Sequence, residues 1–273
     1  MKEMVDTLKS GLVNRLKQVG AFDVRIADPR MGYDKALPKR HPLQIWEQCK
    51  SVVIFAIAMA PYTNNIYLGP YAPWRVKGSD APGQGLRGGL RDIGPVPYYI
   101  ESEEHAVDRL SRLLVSSITM KGMIFLTQHG HKVSFEKPQF KLSAFEAGLG
   151  VYGRSGIILN PVLGNRMSLG VIMTDASIEA DDRLADFNPC EDCDKCIQAC
   201  PAKAFDKDKE YPESWSRETC VAKRNEIAAK EMFCHNCFAA CPAGAINDEE
   251  LLSIKTAKSF FKPHSFKLEF DIV

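Results

Sequence analysis

CEDCDKCIQACP at residues 190–201 and CHNCFAACP at 234–242 decide how this chain is organised. The first run sets Cys190, Cys193, Cys196 and Cys200-Pro201 at the C-x2-C-x2-C-x3-C-P spacing of bacterial two-cluster iron–sulfur loops, whose fourth cysteine ligates the other cluster. Three thiolates three positions apart on a tight loop can wrap one cube. The fourth, followed by proline, starts a helix that leads away towards a second. The later run repeats the end of the pattern with Cys234, Cys237 and Cys241-Pro242, but Glu231 stands where another cysteine would complete it. Cys220 is the remaining cysteine of the region and brings the thiols to the eight that two cubes require. Crossing the fourth ligands predicts one [4Fe–4S] cluster on Cys190, Cys193, Cys196 and Cys241, and a second on Cys200, Cys220, Cys234 and Cys237. A pair of four-cysteine zinc sites is the alternative, because zinc also takes CxxC pairs. Zinc modules, however, do not need C-x2-C-x2-C followed by C-P and a related run.

Eight of the nine cysteines lie between 190 and 241, and only Cys49 lies outside. A disulfide scaffold would spread them along the chain, so their clustering points to metal. His235 has no second histidine for a Rieske-like pairing and is expected to face solvent, while Cys49, beside an apolar run, reads as a small core residue. Each cube passes a single electron, so the module is an electron wire that needs two ends. One is an external donor such as a ferredoxin or flavodoxin. The other is something held by the preceding part of the chain. Residues 181–250 carry 16 acidic against 9 basic side chains in a chain of net charge +1, which sets an acidic module on a basic, solvated body.

With 273 residues, 45% hydrophobic and 25% charged, the chain has the composition of a globular protein, not of a disordered, collagenous or coiled-coil one. The longest apolar run, 51–59, is strand-sized, far below the roughly 18 residues of a membrane helix. The N-terminal helix lacks the apolar core of a signal peptide, so a cytoplasmic protein with no membrane partner is expected. Val5, Leu8, Leu12, Leu16 and Val19 recur at helical spacing up to Gly20, a C-cap. Strands are predicted at 22–27, 51–59, 132–135, 155–160 and 166–174, and the unbroken apolar run 51–59 belongs to a strand buried on both faces. Glu101, Glu103 and Glu104 open a second helix, with Val107, Leu110, Leu114 and Ile118 on one face, that ends at Gly122; a short third helix covers 138–147, from Pro138 to Gly148. Residues 61–97, rich in Gly, Pro, Tyr and Asn, read as a long binding loop or lid, or as a partly disordered segment. The acidic stretch 180–189 marks a boundary, giving a body (1–180), a cluster module (181–250) and a tail (251–273). The expected class is α+β.

Gly148, Gly150, Gly153 and Gly156 in AGLGVYGRSG (147–156) do not form a dinucleotide fingerprint, since a helix, not a strand, precedes them. Together with the following IILNPVLGNRMSLGVIMTD (157–175), the cysteine pattern with its isolated Cys220, and the early strand KSVVIFA (50–56), the segment resembles the epoxyqueuosine reductase family, relatives of the reductive dehalogenases. The resemblance implies a nitroreductase-like α/β sandwich body followed by a ferredoxin-like module. It also implies a cobalamin-type corrinoid over the glycine-rich backbone that receives electrons through the cubes and reduces a small organic or nucleoside-like substrate. By position it assigns Gly148, Leu149, Gly150, Tyr152, Gly153, Arg154, Asn160, Leu163, Gly164 and Gly170 to the corrinoid face. Where the family has an acidic proton donor before its proline, this chain offers Glu136, with Tyr98, Tyr99 and His105 as alternatives. The chain ends soon after Cys241, without the family's C-terminal helical-repeat domain, and Lys255, Lys258, Lys262 and Lys267 do not replace it; a tRNA substrate is therefore not expected. A non-enzymatic electron carrier, or an FMN-dependent reductase on the same fold, are the alternatives.

Overall fold

A strand with apolar side chains at every position can be buried only if both faces of its sheet are covered, and residues 51–58 are buried at all eight positions. The computed structural model describes residues 2–59, 103–209, 212–228, 234, 236–246 and 250. Its elements begin with α1 (Lys2–Gln18), β1 (Asp23–Ala27), α2 (Pro42–Ile45), β2 (Ser51–Ala58), α3 (Glu103–Gln128), β3 (Val133–Ser134) and α4 (Phe140–Glu146). They continue with β4 (Val151–Tyr152), β5 (Ile158–Leu159), β6 (Met167–Thr174), α5 (Lys195–Gln198), α6 (Arg217–Ala228) and α7 (Asn236–Ala239). The main sheet has the order β1-β2-β6-β3 with every pairing antiparallel, and β2 and β6 run in register from Ser51 opposite Thr174 to Ala58 opposite Met167.

Alternation along β2 divides the core in two. Val53, Phe55 and Ile57 point to the face covered by α1 and α3, where they meet Leu12, Leu16, Ile118 and Leu126. Val52, Ile54 and Ala56 point the other way, towards Tyr33, Cys49 and the α4 residues Leu142 and Ala144. Cys49 is thus a core residue as expected; its thiol donates to the Ser51 carbonyl at 3.5 Å. The mixed α/β fold and both-face burial agree with the sequence.

Several boundaries differ. Helix α1 stops where Gly20 predicts, with Gly20 N–H donating to the Lys17 carbonyl at 3.1 Å. Gly122, however, lies inside α3, which continues to Gln128. A Cβ there would sit 2.5 Å from Ile172 Cδ1 and 2.9 Å from Leu16 Cδ2, so the glycine permits close packing of α3 on the sheet and does not end the helix. The expected strand 155–160 shrinks to β5, which pairs with β4, a strand hidden in the glycine-rich segment. Helix α4 starts at Phe140 with Gln139 as N-cap, two residues after Pro138. The predicted loop 61–97, Tyr98, Tyr99, Glu101, Glu231, His235 and the tail lie outside the described residues, as does the side chain of His105. Among the described residues no helix is long and apolar enough to cross a membrane.

The stretch leading to the cysteines is fastened to the body. Ser51 Oγ donates to the Ala176 carbonyl at 2.9 Å and accepts Ile178 N–H at 3.0 Å. The Asp181 carboxylate accepts Ile26 N–H at 2.8 Å and Lys9 Nζ at 2.7 Å. Arg183 reaches the buried Glu146 through Nε at 2.7 Å and through Nη2, while its guanidinium lies 5.1 Å from the Phe145 ring centroid.

Candidate metal centre

Short helices set the thiols. Cys190 opens a turn closed by Cys193 N–H at 3.4 Å, Cys196 lies in α5, and Cys200 follows its end. Cys237 lies in α7, which packs against α5, and Asn236 Nδ2 donates to the Ala199 carbonyl at 3.2 Å to join the two runs. The chain then turns so that Cys241 comes back beside the first run. Cys190, Cys193, Cys196 and Cys241 line one cavity, together with Gly153 and Arg154 of the glycine-rich segment.

Electrostatic influence among the thiols sorts them the same way. Burial pushes Cys196 up to about 11, with the charges of Cys190, Cys241 and Cys193 adding to it. Cys241 is also raised by burial and by Cys190 and Cys193, against the Ala243 N–H and the Arg166 guanidinium. In the other group burial pushes Cys237 up to about 12, reinforced by Cys234, Cys200 and Cys220, and more weakly by Cys196. Cys220 is raised by burial; the Trp215 side chain and Arg224 act against this, and Cys200 and Cys234 add to it. Thiols held protonated in this way release protons when they bind metal. Among the described residues no three His, Cys, Asp or Glu side chains converge on a point that could hold a single ion.

Glycine conformations account for the join between the cavity and the body. Gly164 (φ 61°) lets its Cα face lie directly against the Ala243 carbonyl, two residues after Cys241. Around it Ala245 N–H donates to the Pro161 carbonyl at 3.0 Å, Ile246 N–H to Val162 at 3.1 Å, Asn165 Nδ2 to Phe238 at 2.7 Å and Arg166 Nη2 to Ile246 at 2.6 Å. The NPVLGN turn is therefore the dock for the end of the cysteine module. At Gly153 a Cβ would lie 3.5 Å from Cys190 Sγ and 2.7 Å from Leu159 Cδ1.

The residues that resemblance assigned to a corrinoid divide. Leu149 and Leu163 are fully buried. Asn160 is spent on the backbone, donating to the Leu149 carbonyl at 2.8 Å and accepting Val162 and Leu163 N–H at 2.9 and 3.1 Å. The side-chain positions of Gly148, Gly150 and Gly170 are filled by the Asp182 carbonyl, by Ile158 with the Leu159 carbonyl, and by the Phe55 ring. Tyr152 and Arg154 are half-buried; the Tyr152 ring lies 5.5 Å from that of Phe145, tilted by 46°, and Arg154 Nη2 donates to the Glu191 carbonyl at 3.2 Å. Glu136 stands exposed between β3 and α4, its N–H donating to Ser134 Oγ at 3.2 Å.

Sequence reading missed three groups here. Lys141 exposes much of its stem, yet its ammonium end is surrounded by protein. It donates to the Gly156 carbonyl at 2.6 Å, and burial lowers its pKa while nearby Cys237 opposes this. The Glu146–Arg183 pair joins α4 to the boundary stretch. Trp215, five positions upstream of Cys220, counteracts the rise that burial gives the Cys220 pKa, and a tryptophan so close in sequence to the one isolated cysteine is the available signal.

No protein-family model matches the chain. Over 62 residues it is 42% identical to epoxyqueuosine reductase of Staphylococcus aureus, a match to 23% of this chain and 16% of that protein. It is 28% identical over 160 residues to tetrachloroethene reductive dehalogenase of Dehalobacter restrictus, covering 52% of this chain and 28% of the relative. In fold it is similar to a crystal structure of selenomethionine-labelled epoxyqueuosine reductase, with a TM-score of 0.58, 18% identity, and 87% of this chain matched to 66% of that one. The matches span between 16% and 28% of the curated relatives' own length. The chain is thus similar over part of its length to the sequences of epoxyqueuosine reductases and reductive dehalogenases, and similar to them in its mixed α/β fold.

Proposed function

We propose that the chain is an iron–sulfur reductase that holds two [4Fe–4S] clusters, one on Cys190, Cys193, Cys196 and Cys241, the other on Cys200, Cys220, Cys234 and Cys237. The observation that carries this is the cavity in which Cys241 joins the three cysteines of the first run. Zinc would need its four sulfurs about 2.3 Å from one point, and among the described residues no group of three or more His, Cys, Asp or Glu side chains is placed to hold a single metal ion. In this reading the Ala243 N–H and the Arg166 guanidinium beside Cys241 offset negative charge on its sulfur, and the docked NPVLGN turn fixes the fourth ligand. A donor such as a ferredoxin or flavodoxin would supply single electrons to the clusters, and Gly153 and Arg154 would form the wall between the first of them and the glycine-rich segment.

What lies beyond that wall is the second part of the proposal. A solved reductive dehalogenase of the same fold, with a TM-score of 0.55, 18% identity and 91% of this chain matched to 35% of that one, is described for B12-dependent dehalogenation. A cobalamin would supply the low-potential reduction of a small organic or nucleoside-like substrate, with Glu136 as the proposed proton donor. Tyr152 and Arg154 are the side chains that could face it, and Gly153, whose side-chain position is taken by Leu159, could do so only through its backbone. The seven others suggested by resemblance fit such a cradle poorly: Leu149, Asn160 and Leu163 are committed to the interior, and Gly148, Gly150, Gly164 and Gly170 have their side-chain positions filled by the chain's own atoms. That same filling favours a second reading, an electron carrier serving a partner. Visible spectra and cobalt analysis of protein purified anaerobically from cobalamin-fed cells separate them. Cobalt in stoichiometric amount supports the reductase, iron–sulfur absorption alone supports the carrier, and flavin bands replace the corrinoid by FMN.

A further inference from the structure

Strand β6 is paired along its whole length on one side but at only two residues on the other. Met59 N–H donates to the Arg166 carbonyl at 2.9 Å, so Arg166, Ser168, Gly170 and Ile172 turn their N–H and C=O groups to β2. Met167, Leu169, Val171 and Met173 turn theirs the other way, where β3 pairs Ser134 with Met173 and then stops. Continued, that register would set Glu136 opposite Val171 and Pro138 opposite Leu169. It breaks off because Ser134 Oγ takes the Glu136 N–H at 3.2 Å and because proline has no N–H to give the ladder. Met167 N–H is used by the Asn165 carbonyl at 2.8 Å. Leu169 and Val171 remain, and among the described residues nothing bonds the N–H and C=O groups they turn to this side. Val171 is 3% exposed, so water is not at hand to replace a partner. Buried backbone groups without partners are rare enough to call for an occupant.

The open stretch lies between the chain departing at Glu136 and the turn at Asn165, and it is too short for the roughly five or six residues of an ordinary strand. A small planar group suits it better. Within one strand residue the N–H and C=O point the same way and set a donor beside an acceptor; a carboxamide or a lactam sets an acceptor beside a donor and complements both. A carboxylate offers acceptors alone and would face the strand carbonyl with negative charge. We infer that the open edge of β6 is a binding site for an amide group, with the backbones of Leu169 and Val171 as its partners, at the register position of Glu136. Leu169 and Val171 share with Tyr152 the apolar cluster on the α4 side of the sheet, so one flank of the site is apolar. The inference deepens the reductase reading above and rests on it. The amide belongs either to the periphery of a corrinoid, which carries carboxamides, or to the base of a nucleoside-like substrate.

Residue-resolved amide hydrogen exchange tests this on wild-type protein purified anaerobically from cells grown without cobalamin. Before any addition, Leu169 N–H should exchange faster than the N–H groups of Ser168 and Gly170, which are bonded to β2. Slow exchange at Leu169 in that state means that another part of the chain already covers the edge, and overturns the inference. Cyanocobalamin, which carries carboxamides, and guanosine, whose base is a lactam, are then added separately. Protection of Leu169 and Val171 by about threefold to tenfold, with Ser168 and Gly170 unchanged, supports the site, and the probe that gives it identifies the source of the amide. Where cobalamin is the protecting probe, the same corrinoid with its carboxamides hydrolysed to carboxylates should give no protection; equal protection overturns the amide assignment. If a probe binds in equilibrium dialysis and neither residue is protected by either probe, the inference is overturned while the reductase reading stands. If neither probe binds, both fall.

Discussion

Replacing Gly164 by alanine tests how the cysteine module is joined to the body. The residue has φ 61°, and an alanine held in that left-handed conformation costs about 1–2 kcal/mol. Its methyl group would also occupy the position of the Ala243 carbonyl, a backbone atom that cannot swing aside as a side chain would. Residues 243–246 must therefore move, which breaks the Ala245-to-Pro161 and Ile246-to-Val162 bonds. At ~0.5–1.5 kcal/mol each, these bring the expected loss to about 2–5 kcal/mol. Gly130→Ala is the matched control, since Gly130 has φ 81° but nothing within 4 Å of its missing Cβ, so only the conformational cost of about 1–2 kcal/mol applies. Urea unfolding of the two variants measures the difference. Iron analysis should show Gly164→Ala losing the cluster that needs Cys241 while Gly130→Ala keeps both. Equal stability of the two variants with full iron in each would refute the docking role of the NPVLGN turn.

Arg183→Ala should destabilise the protein by about 1–3 kcal/mol near neutral pH, because the Glu146 carboxylate, with a side chain only 5% exposed, loses its partner. Burial already raises the Glu146 pKa against the pull of Arg183, so removing Arg183 raises it further. The variant's deficit should grow as pH rises through the carboxylate range and shrink in acid, as thermal unfolding from pH 4 to 8 would show. At the alkaline end, burial pushes Cys49 up to about 11 and raises Tyr33 as well. The native state keeps these protons after the unfolded chain has lost its own. Stability present below about pH 9 should therefore fall as pH rises towards 11, and Cys49→Ala should flatten that fall in denaturant titrations.

The sequence made the centre of the fold legible wherever a side-chain pattern carried the information. Continuous burial of 51–58 follows from the apolar run, and the end of α1 follows from Gly20. Glycine was harder to read, because it signals that something comes close without saying what. Gly122 reads in the sequence as a helix end, whereas in the structure it is a contact point for Leu16 and Ile172. The glycines of 148–170 read as an open cofactor face, yet at 148, 150, 164 and 170 the missing side chains make room for the protein's own Asp182, Leu159, Ala243 and Phe55. Contacts between positions far apart in sequence, such as Arg183 with Glu146 or Lys141 with Gly156, left no local trace. Cys241 lines one cavity with the first cysteine run, in keeping with the C-P spacing, while the sharing of these thiols by one cluster is the proposal made above.

Iron and acid-labile sulfide counts on the wild type and on Cys220→Ala, supported by Mössbauer spectra, test the account most directly. The wild type should hold about eight irons and eight sulfides per chain, and the variant about four of each, with the cluster on Cys190, Cys193, Cys196 and Cys241 intact. Two zinc ions without sulfide in the wild type, or a full complement of eight irons in the variant, would contradict it.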